Sequence, residues 1–152
     1  MDYVKYIRSY IGNRPMFLVG AGTIIKNEAS EILLIKRTDN NCWGLPGGSC
    51  ELGETFEETA IREAYEEAGL VVRNLKLFNV FSGEEMHFTY PNGDEVYNAV
   101  CIFETIDYSG EPAHDEHESS AVKFFDADDL PENMHPPDYK IIKKYLSNEV
   151  LK

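Results

Sequence analysis

Between Gly48 and Leu70 the chain reads GSCELGETFEETAIREAYEEAGL, a glycine-bearing loop running into a segment crowded with carboxylates. Thr55 is a good N-cap, and Glu58 three residues on completes a capping box. Gly69 supplies a C-terminal stop. The spacing therefore predicts a helix over 56–68. Glu63, Glu66 and Glu67 stand at i, i+3 and i+4, so they share one face of it. Like charges placed this way cost about 0.2–0.5 kcal/mol per pair, and near a helix C-terminus they also oppose the macrodipole. A local rule broken like this marks a candidate functional site. The natural compensation is a hard divalent cation, because oxygen ligands suit magnesium, manganese or calcium. The bland alternative is a solvated acidic face. The opposite face carries Ala60, Ile61, Ala64, Tyr65 and Ala68, and is expected to be core, with the alanines letting the helix sit close against a sheet.

The spacing is more specific than a generic acidic helix. Gly48 is followed after five residues by Glu54, and after seven more by Arg62-Glu63-Ala64-Tyr65-Glu66-Glu67-Ala68-Gly69-Leu70. With its lead-in Trp43-Gly44-Leu45-Pro46-Gly47-Gly48, this resembles the complete signature of the Nudix hydrolases. Ala64 is the one departure, standing where the family usually has a larger aliphatic residue. The resemblance implies an α/β/α sandwich with a mixed sheet. It also implies a hydrolase, dependent on Mg²⁺ or Mn²⁺, that cleaves the diphosphate linkage of a nucleoside diphosphate joined to another moiety. A nucleotide sugar, ADP-ribose, a dinucleotide or a nucleoside triphosphate would all qualify. Glu63, Glu66 and Arg62 become the expected catalytic group, with Arg62 orienting a glutamate. Gly47 (through its carbonyl), Glu54, Glu63, Glu66, Glu67 and Glu118 become the expected metal ligands. Glu116 competes with Glu118 for the position outside the signature. Family members are also frequently homodimers. The rival reading is a noncatalytic nucleotide-sensing module on the same fold, which would not need every metal carboxylate. A structural calcium loop is a weaker rival, since the EF-hand spacing is absent.

Net charge is −13 over 152 residues, which argues against binding nucleic acid or an anionic membrane. The charge is uneven: residues 1–37 hold six basic and three acidic side chains, and the remainder eight and 24. A phosphate substrate needs a positive partner that the acidic helix lacks. Lys36 and Arg37 end a strand aimed at the glycine loop, and alternation sends one of them to each face. Trp43 is the expected stacking residue, with Phe81, Tyr90 and Tyr97 as further candidates. His114 and His117 sit in a charged loop and are more often solvated than ligands. Cys42, Cys50 and Cys101 form no spaced framework and read as reduced thiols. No run of about 18 apolar residues exists, and residues 1–15 lack an apolar signal core. The expectation is a small-molecule enzyme of the cytoplasm.

The length fits one domain over 1–152. Strands are expected over 17–25 and 31–37, paired as a hairpin, then over 75–81, 84–90, 95–105 and 122–125. Residues 38–53 read as loop, 1–11 as a short helix or arm, and 137–146 as a helix. Strands around a central helix indicate an α/β layered domain with a mixed sheet.

Overall fold

Residues 2–115 and 118–151 are described in a computed structural model. Helix α1 (Tyr3–Ile11) is followed by β1 (Met16–Ile25), β2 (Ile32–Arg37), β3 (Trp43–Gly44) and β4 (Gly47–Ser49). Helix α2 (Phe56–Ala68) comes next, then β5 (Val71–Arg73), β6 (Lys76–Phe81), a 3-10 turn (Glu84–Met86) and β7 (His87–Thr89). The chain continues through β8 (Glu95–Thr105), β9 (Asp107–Ser109), β10 (Ser119–Phe125) and α3 (Pro136–Leu151). Thr55 and Glu58 form the expected capping box at α2, and Gly69 ends it at φ 72°, in the left-handed region.

The main sheet runs β4-β1-β8-β6, with β7 also paired to β8. It is mixed: β1 lies parallel to β8 and antiparallel to β4. A second sheet runs β10-β2-β3, all antiparallel. The hairpin expected between β1 and β2 does not form. After the single bridge Lys26–Ile32 the two strands diverge into different sheets. In β2, Ile32, Leu33, Leu34 and Ile35 are all buried. Leu33 and Ile35 pack with Ala64, Ala68 and Leu70 at the α2 side, while Ile32 and Leu34 pack with Ile141, Ile142 and Tyr145 of α3. Each face of β2 is covered by a different helix. The architecture is thus α/β/α with a mixed sheet.

Two short strands lie inside the segment expected to be loop. Trp43 pairs with Lys36, and Gly47–Ser49 pair with Gly20–Gly22. Runs this short carry no alternation to read. β4 comes close to β1 because it is bare. A Cβ on Gly47 would stand 2.7 Å from the Ala21 carbonyl oxygen and 2.7 Å from Gly22 Cα. This approach delivers the glycine loop to α2.

Candidate active site

Glu63 and Glu67 are not on an exposed face. They retain 9% and 8% of their accessible surface and lie in the buried stripe with Thr59, Ala60, Ala64 and Ala68. At about 100° per residue, positions 60, 63, 64 and 67 are contiguous on one side. Ile61 and Tyr65, expected in the core, fall on the far side and are exposed. The helix therefore buries its alanines and two of its carboxylates against the same strands.

One carboxylate oxygen each from Glu63, Glu67 and Glu118 lies within 4.8 Å of the other two. Glu118 is exposed and enters from the loop before β10. The buried Ser119 hydroxyl donates to the Glu67 carbonyl at 2.9 Å and so ties that loop to α2. The Gly47 N–H donates to Glu67 Oε1 at 2.7 Å. Gly48 makes room for Glu63, since a Cβ there would stand 2.6 Å from Oε1. Burial pushes the Glu67 carboxyl well above the usual range, and the neighbouring Glu63 charge adds to this. Burial also raises Glu63, against the pull of Arg62, and raises Glu118. No ion pair reaches Glu67 or Glu118 among the described residues. Three converging carboxylates with a single counter-charge, Arg62 on Glu63, fit a hard divalent cation.

Arg62 organises the rim. Its Nε and Nη2 donate to Glu54 Oε2 and Oε1 at 2.7 and 2.9 Å. Nη1 reaches Glu63 at 2.8 Å and Glu66 at 3.3 Å, and Nη2 also donates to the Ser49 carbonyl at 3.1 Å. Glu54 further accepts from the Glu51 N–H and the Thr59 hydroxyl. The Arg62 hydrogen bonds hold its carboxyl down at about 2. Its oxygens are thus committed to anchoring Arg62, and it stands outside the trio. Glu66 is exposed at the rim. Gly47 meets the trio through its N–H. His114 is not part of the trio, and Glu116 and His117 lie outside the described residues.

A cleft of about 150 Å³ opens beside Glu67 and the Gly47–Gly48 backbone and ends at Met86, His135, Asp138 and Ile141. Arg37 lines it and Lys36 does not, as strand alternation requires of neighbours. Arg37 grips Asp39 bidentately at 3.0 and 2.7 Å and lies 5.8 Å from the centre of the Tyr90 ring. Burial works against its charge, but Asp39 outweighs this and raises its pKa. Trp43 packs edge-on to Phe125 at 4.9 Å instead of facing the cleft. Its strand partners β2, whose neighbour β10 carries Phe125. Of the other aromatic candidates, Tyr90 alone lines the cleft; Phe81 packs on Phe78, and Tyr97 on His87.

The sequence reading missed His135 and Asp138. The available signal was His-Pro-Pro-Asp, which starts a helix with prolines and puts an acid in its first turn. Burial lowers His135 to about 3, helped by the Arg37 charge, so the ring is neutral. Asn40 Nδ2 lies 2.9 Å from its Nδ1. Asp138 Oδ2 accepts from the Leu45 N–H at 3.1 Å, and burial lifts its pKa to about 6. A carboxyl raised in the folded state favours folding at low pH and opposes it above the folded pKa. The cost is absent below about 4 and complete above about 6, on the order of 3 kcal/mol before solvent screening is discounted. Asp138→Asn keeps the acceptor for Leu45. It is therefore expected to raise Tm at pH 7.5 and to leave it unchanged near pH 4, as read by thermal unfolding at the two pH values.

The NUDIX domain model matches residues 16–145. An ADP-ribose pyrophosphatase of Methanocaldococcus jannaschii is 35% identical over 120 residues, covering 77% of this chain and 66% of that protein. A putative 8-oxo-dGTP diphosphatase of Bacillus subtilis is 50% identical over 54 residues, 36% of each chain. The chain thus matches less than two-thirds of the length of these relatives. The crystal structure of a MutT NUDIX hydrolase from Burkholderia pseudomallei superposes with a TM-score of 0.72 at 29% identity, over 84% of this chain and 97% of that one. The NUDIX domain of Shewanella oneidensis NrtR, complexed with ADP ribose, shares the fold with a TM-score of 0.71 at 17% identity, over the whole of both chains. Signature, sandwich and family model agree, and the chain belongs to the NUDIX family.

Proposed function

We propose that this protein is a divalent-metal-dependent hydrolase that cleaves the diphosphate linkage of a nucleoside diphosphate joined to another moiety. The observation that carries this is the buried pair Glu63 and Glu67, joined by Glu118, with Glu67 lining a cleft. Arg62 pairs with Glu63, but Glu67 is buried with no ion pair among the described residues, which weakens the fold, and a noncatalytic sensor has no use for it. Glu63, Glu67 and Glu118 would hold the cation, Mg²⁺ or Mn²⁺, with Glu66 at the rim and the Gly47 backbone alongside. Such a cation neutralises charge on phosphate oxygens and lowers the pKa of a bound water. Arg62 fixes the two candidate proton acceptors, Glu63 and Glu66, from a single nitrogen, and the water's proton passes to one of them. Arg37 faces the cleft and attracts the phosphates. The far end offers the neutral His135 ring and Asn98, with the Asp138 carboxyl, beside Met86 and Ile141, a mixed polar and apolar lining suited to a nucleobase.

The test is a panel of ADP-ribose, nucleotide sugars, dinucleotides and nucleoside triphosphates, assayed with Mg²⁺ or Mn²⁺ and again with a chelator. Turnover that the chelator abolishes is expected. A folded, metal-loaded protein that turns over none of them contradicts the reading.

We further propose that residues 1–152 act as one domain in the cytoplasm, with a nucleotide and not a nucleic acid as ligand. The net charge of −13 and the three free cysteines support this. Among the described residues no helix is long and apolar enough to cross a membrane. A homodimer is supported by the sheet face that exposes Phe17, Val19, Leu77 and Val80. At an uncharged patch so strongly acidic a chain can meet its copy without like-charge repulsion. Light scattering should show twice the chain mass for the wild type and a monomer for Val80→Glu. A monomeric wild type rules the dimer out.

A further inference from the structure

Helix α1 spans a gap instead of filling one. None of its nine residues is buried, and Tyr6 and Tyr10 stay exposed. A hollow of about 390 Å³ lies beneath it, with Val4 and Arg8 in its lining, and shares Leu18, Ser49 and Tyr90 with the cleft. A helix this short is marginal by itself in water, so its hold on the domain depends on its ends. The reaction proposed above uses neither α1 nor Glu51.

At the C-terminal end Arg8 is the clamp. Its Nη1 donates to the Gly12 and Arg14 carbonyls at 2.9 and 2.6 Å, and its Nη2 to the Glu95 carbonyl of β8 at 2.7 Å. Its Nε lies 3.7 Å from Asp94 and is a buried donor with no hydrogen-bond partner, which leaves this clamp incomplete. At the other end the Tyr3 N–H, a first-turn donor with no intrahelical acceptor, donates to both oxygens of Glu51, at 3.0 and 3.3 Å. A carboxylate there also suits the positive end of the helix dipole. Glu51 belongs to the signature loop, and its backbone meets Glu54 at both ends of a turn. Its N–H donates to Glu54 Oε1 at 2.8 Å, and its carbonyl accepts from the Glu54 N–H at 3.1 Å. Glu54 in turn holds Arg62, and Arg62 holds Glu63. An unbroken line of hydrogen bonds thus runs from α1 to one carboxylate of the trio.

We infer that Glu51 is a positioning residue that couples the seating of α1 to the metal site. With α1 docked, the Glu51 carboxylate is fixed, the 51–54 turn is fixed, and Glu54 presents both oxygens to Arg62. With α1 released, the turn that aims Glu54 loosens, and Glu63 loses part of its alignment toward Glu67 and Glu118. This rests on the reading of that trio as the cation site and adds α1 to its support. Linkage makes the coupling reciprocal. The factor by which docked α1 tightens the cation is the factor by which the cation tightens docking.

Two measurements on the full chain test this without substrate: Mn²⁺ binding, from the loss of the free-ion electron paramagnetic resonance signal, and hydrogen exchange of the α1 amides with and without Mn²⁺. Glu51→Ala is expected to bind Mn²⁺ about fivefold more weakly, and saturating Mn²⁺ to slow α1 exchange in the wild type by a similar factor. In Glu51→Ala the ion should leave α1 exchange unchanged. Glu51→Gln keeps an acceptor oxygen for the Tyr3 N–H and should restore most of the affinity. Arg8 makes no hydrogen bond to residues 48–70 among those described, so Arg8→Ala acts only by releasing α1. It should weaken Mn²⁺ in the same direction, and combined with Glu51→Ala it should add nothing further. Should Glu51→Ala fail to fold, the wild-type exchange response and Arg8→Ala decide. Mn²⁺ binding unchanged in folded Glu51→Ala, or wild-type α1 exchange indifferent to Mn²⁺, overturns the inference. So does wild-type Mn²⁺ affinity in Arg8→Ala, which would mean that Glu51 acts on Glu54 without α1. A wild type that turns over no nucleotide while these contrasts hold counts against the hydrolase reading alone and leaves the coupling standing.

Discussion

Glu67→Gln is expected to lower turnover by about three orders of magnitude and to leave the fold intact or slightly more stable. Amide for carboxylate preserves the shape of the side chain and the acceptor oxygen for the Gly47 N–H, which lies 2.7 Å away. It removes a buried charge whose carboxyl is already pushed far up by burial and by Glu63. The stability cost of that charge goes with it. What disappears is one anionic ligand of three that converge within 4.8 Å, and with it the means of holding a cation against phosphate. Steady-state kinetics at saturating Mg²⁺ and thermal unfolding of the metal-free proteins check both halves. Activity close to wild type would remove Glu67 from the metal site. A protein that unfolds would show that the carboxylate has a structural duty the geometry does not reveal.

Gly48→Ala should be nearly as damaging, by a different route. The added Cβ would sit 2.6 Å from Glu63 Oε1 and 2.7 Å from its Cδ, far inside contact distance, so Glu63 must move. It cannot move freely, because Arg62 holds it at 2.8 Å and Arg62 is itself fixed by Glu54. The displacement spreads from a methyl group to the whole carboxylate arrangement. A drop in kcat/KM of about a hundredfold is expected, since misplacing reacting groups by about an ångström has effects of that size. The metal concentration needed for half-maximal activity should rise with it. Wild-type kinetics in a folded Gly48→Ala protein would mean that Glu63 need not occupy the position seen here.

The parts of this site that were legible in sequence were those with local causes. The α2 boundaries follow from Thr55, Glu58 and Gly69, each acting within one turn. The convergence of Glu63 and Glu67 follows from helical spacing. Their burial was not legible, because it depends on how close β4 comes to α2, and that in turn depends on Gly47 and Gly48 lying against Gly20–Gly22 of β1. The same limit applies to β1 and β2. Proximity in sequence suggests a hairpin, but β1 takes β4 and β8 as partners and β2 takes β3 and β10, pairings that local pattern does not encode. Arg37 could be paired with Lys36 as a candidate, yet choosing between them needed the register of β2 on β3 and β10. His135, just before α3, and Asp138, in its first turn, join the cleft about 100 residues beyond Arg37, through long-range packing that no local pattern encodes.

Glu63, Glu67 and Glu118 together are expected to hold the divalent cation that hydrolysis requires. Titration of Mn²⁺ into the protein, followed by the loss of the free-ion electron paramagnetic resonance signal, tests it without needing the substrate. The wild type is expected to bind Mn²⁺ in competition with Mg²⁺. Glu67→Gln and Glu63→Gln should bind it at least about tenfold more weakly, and Glu118→Gln should weaken it measurably, as expected when an anionic oxygen ligand is lost. Binding that is equally tight in all three variants, or a wild type that takes up no Mn²⁺, would contradict the claim.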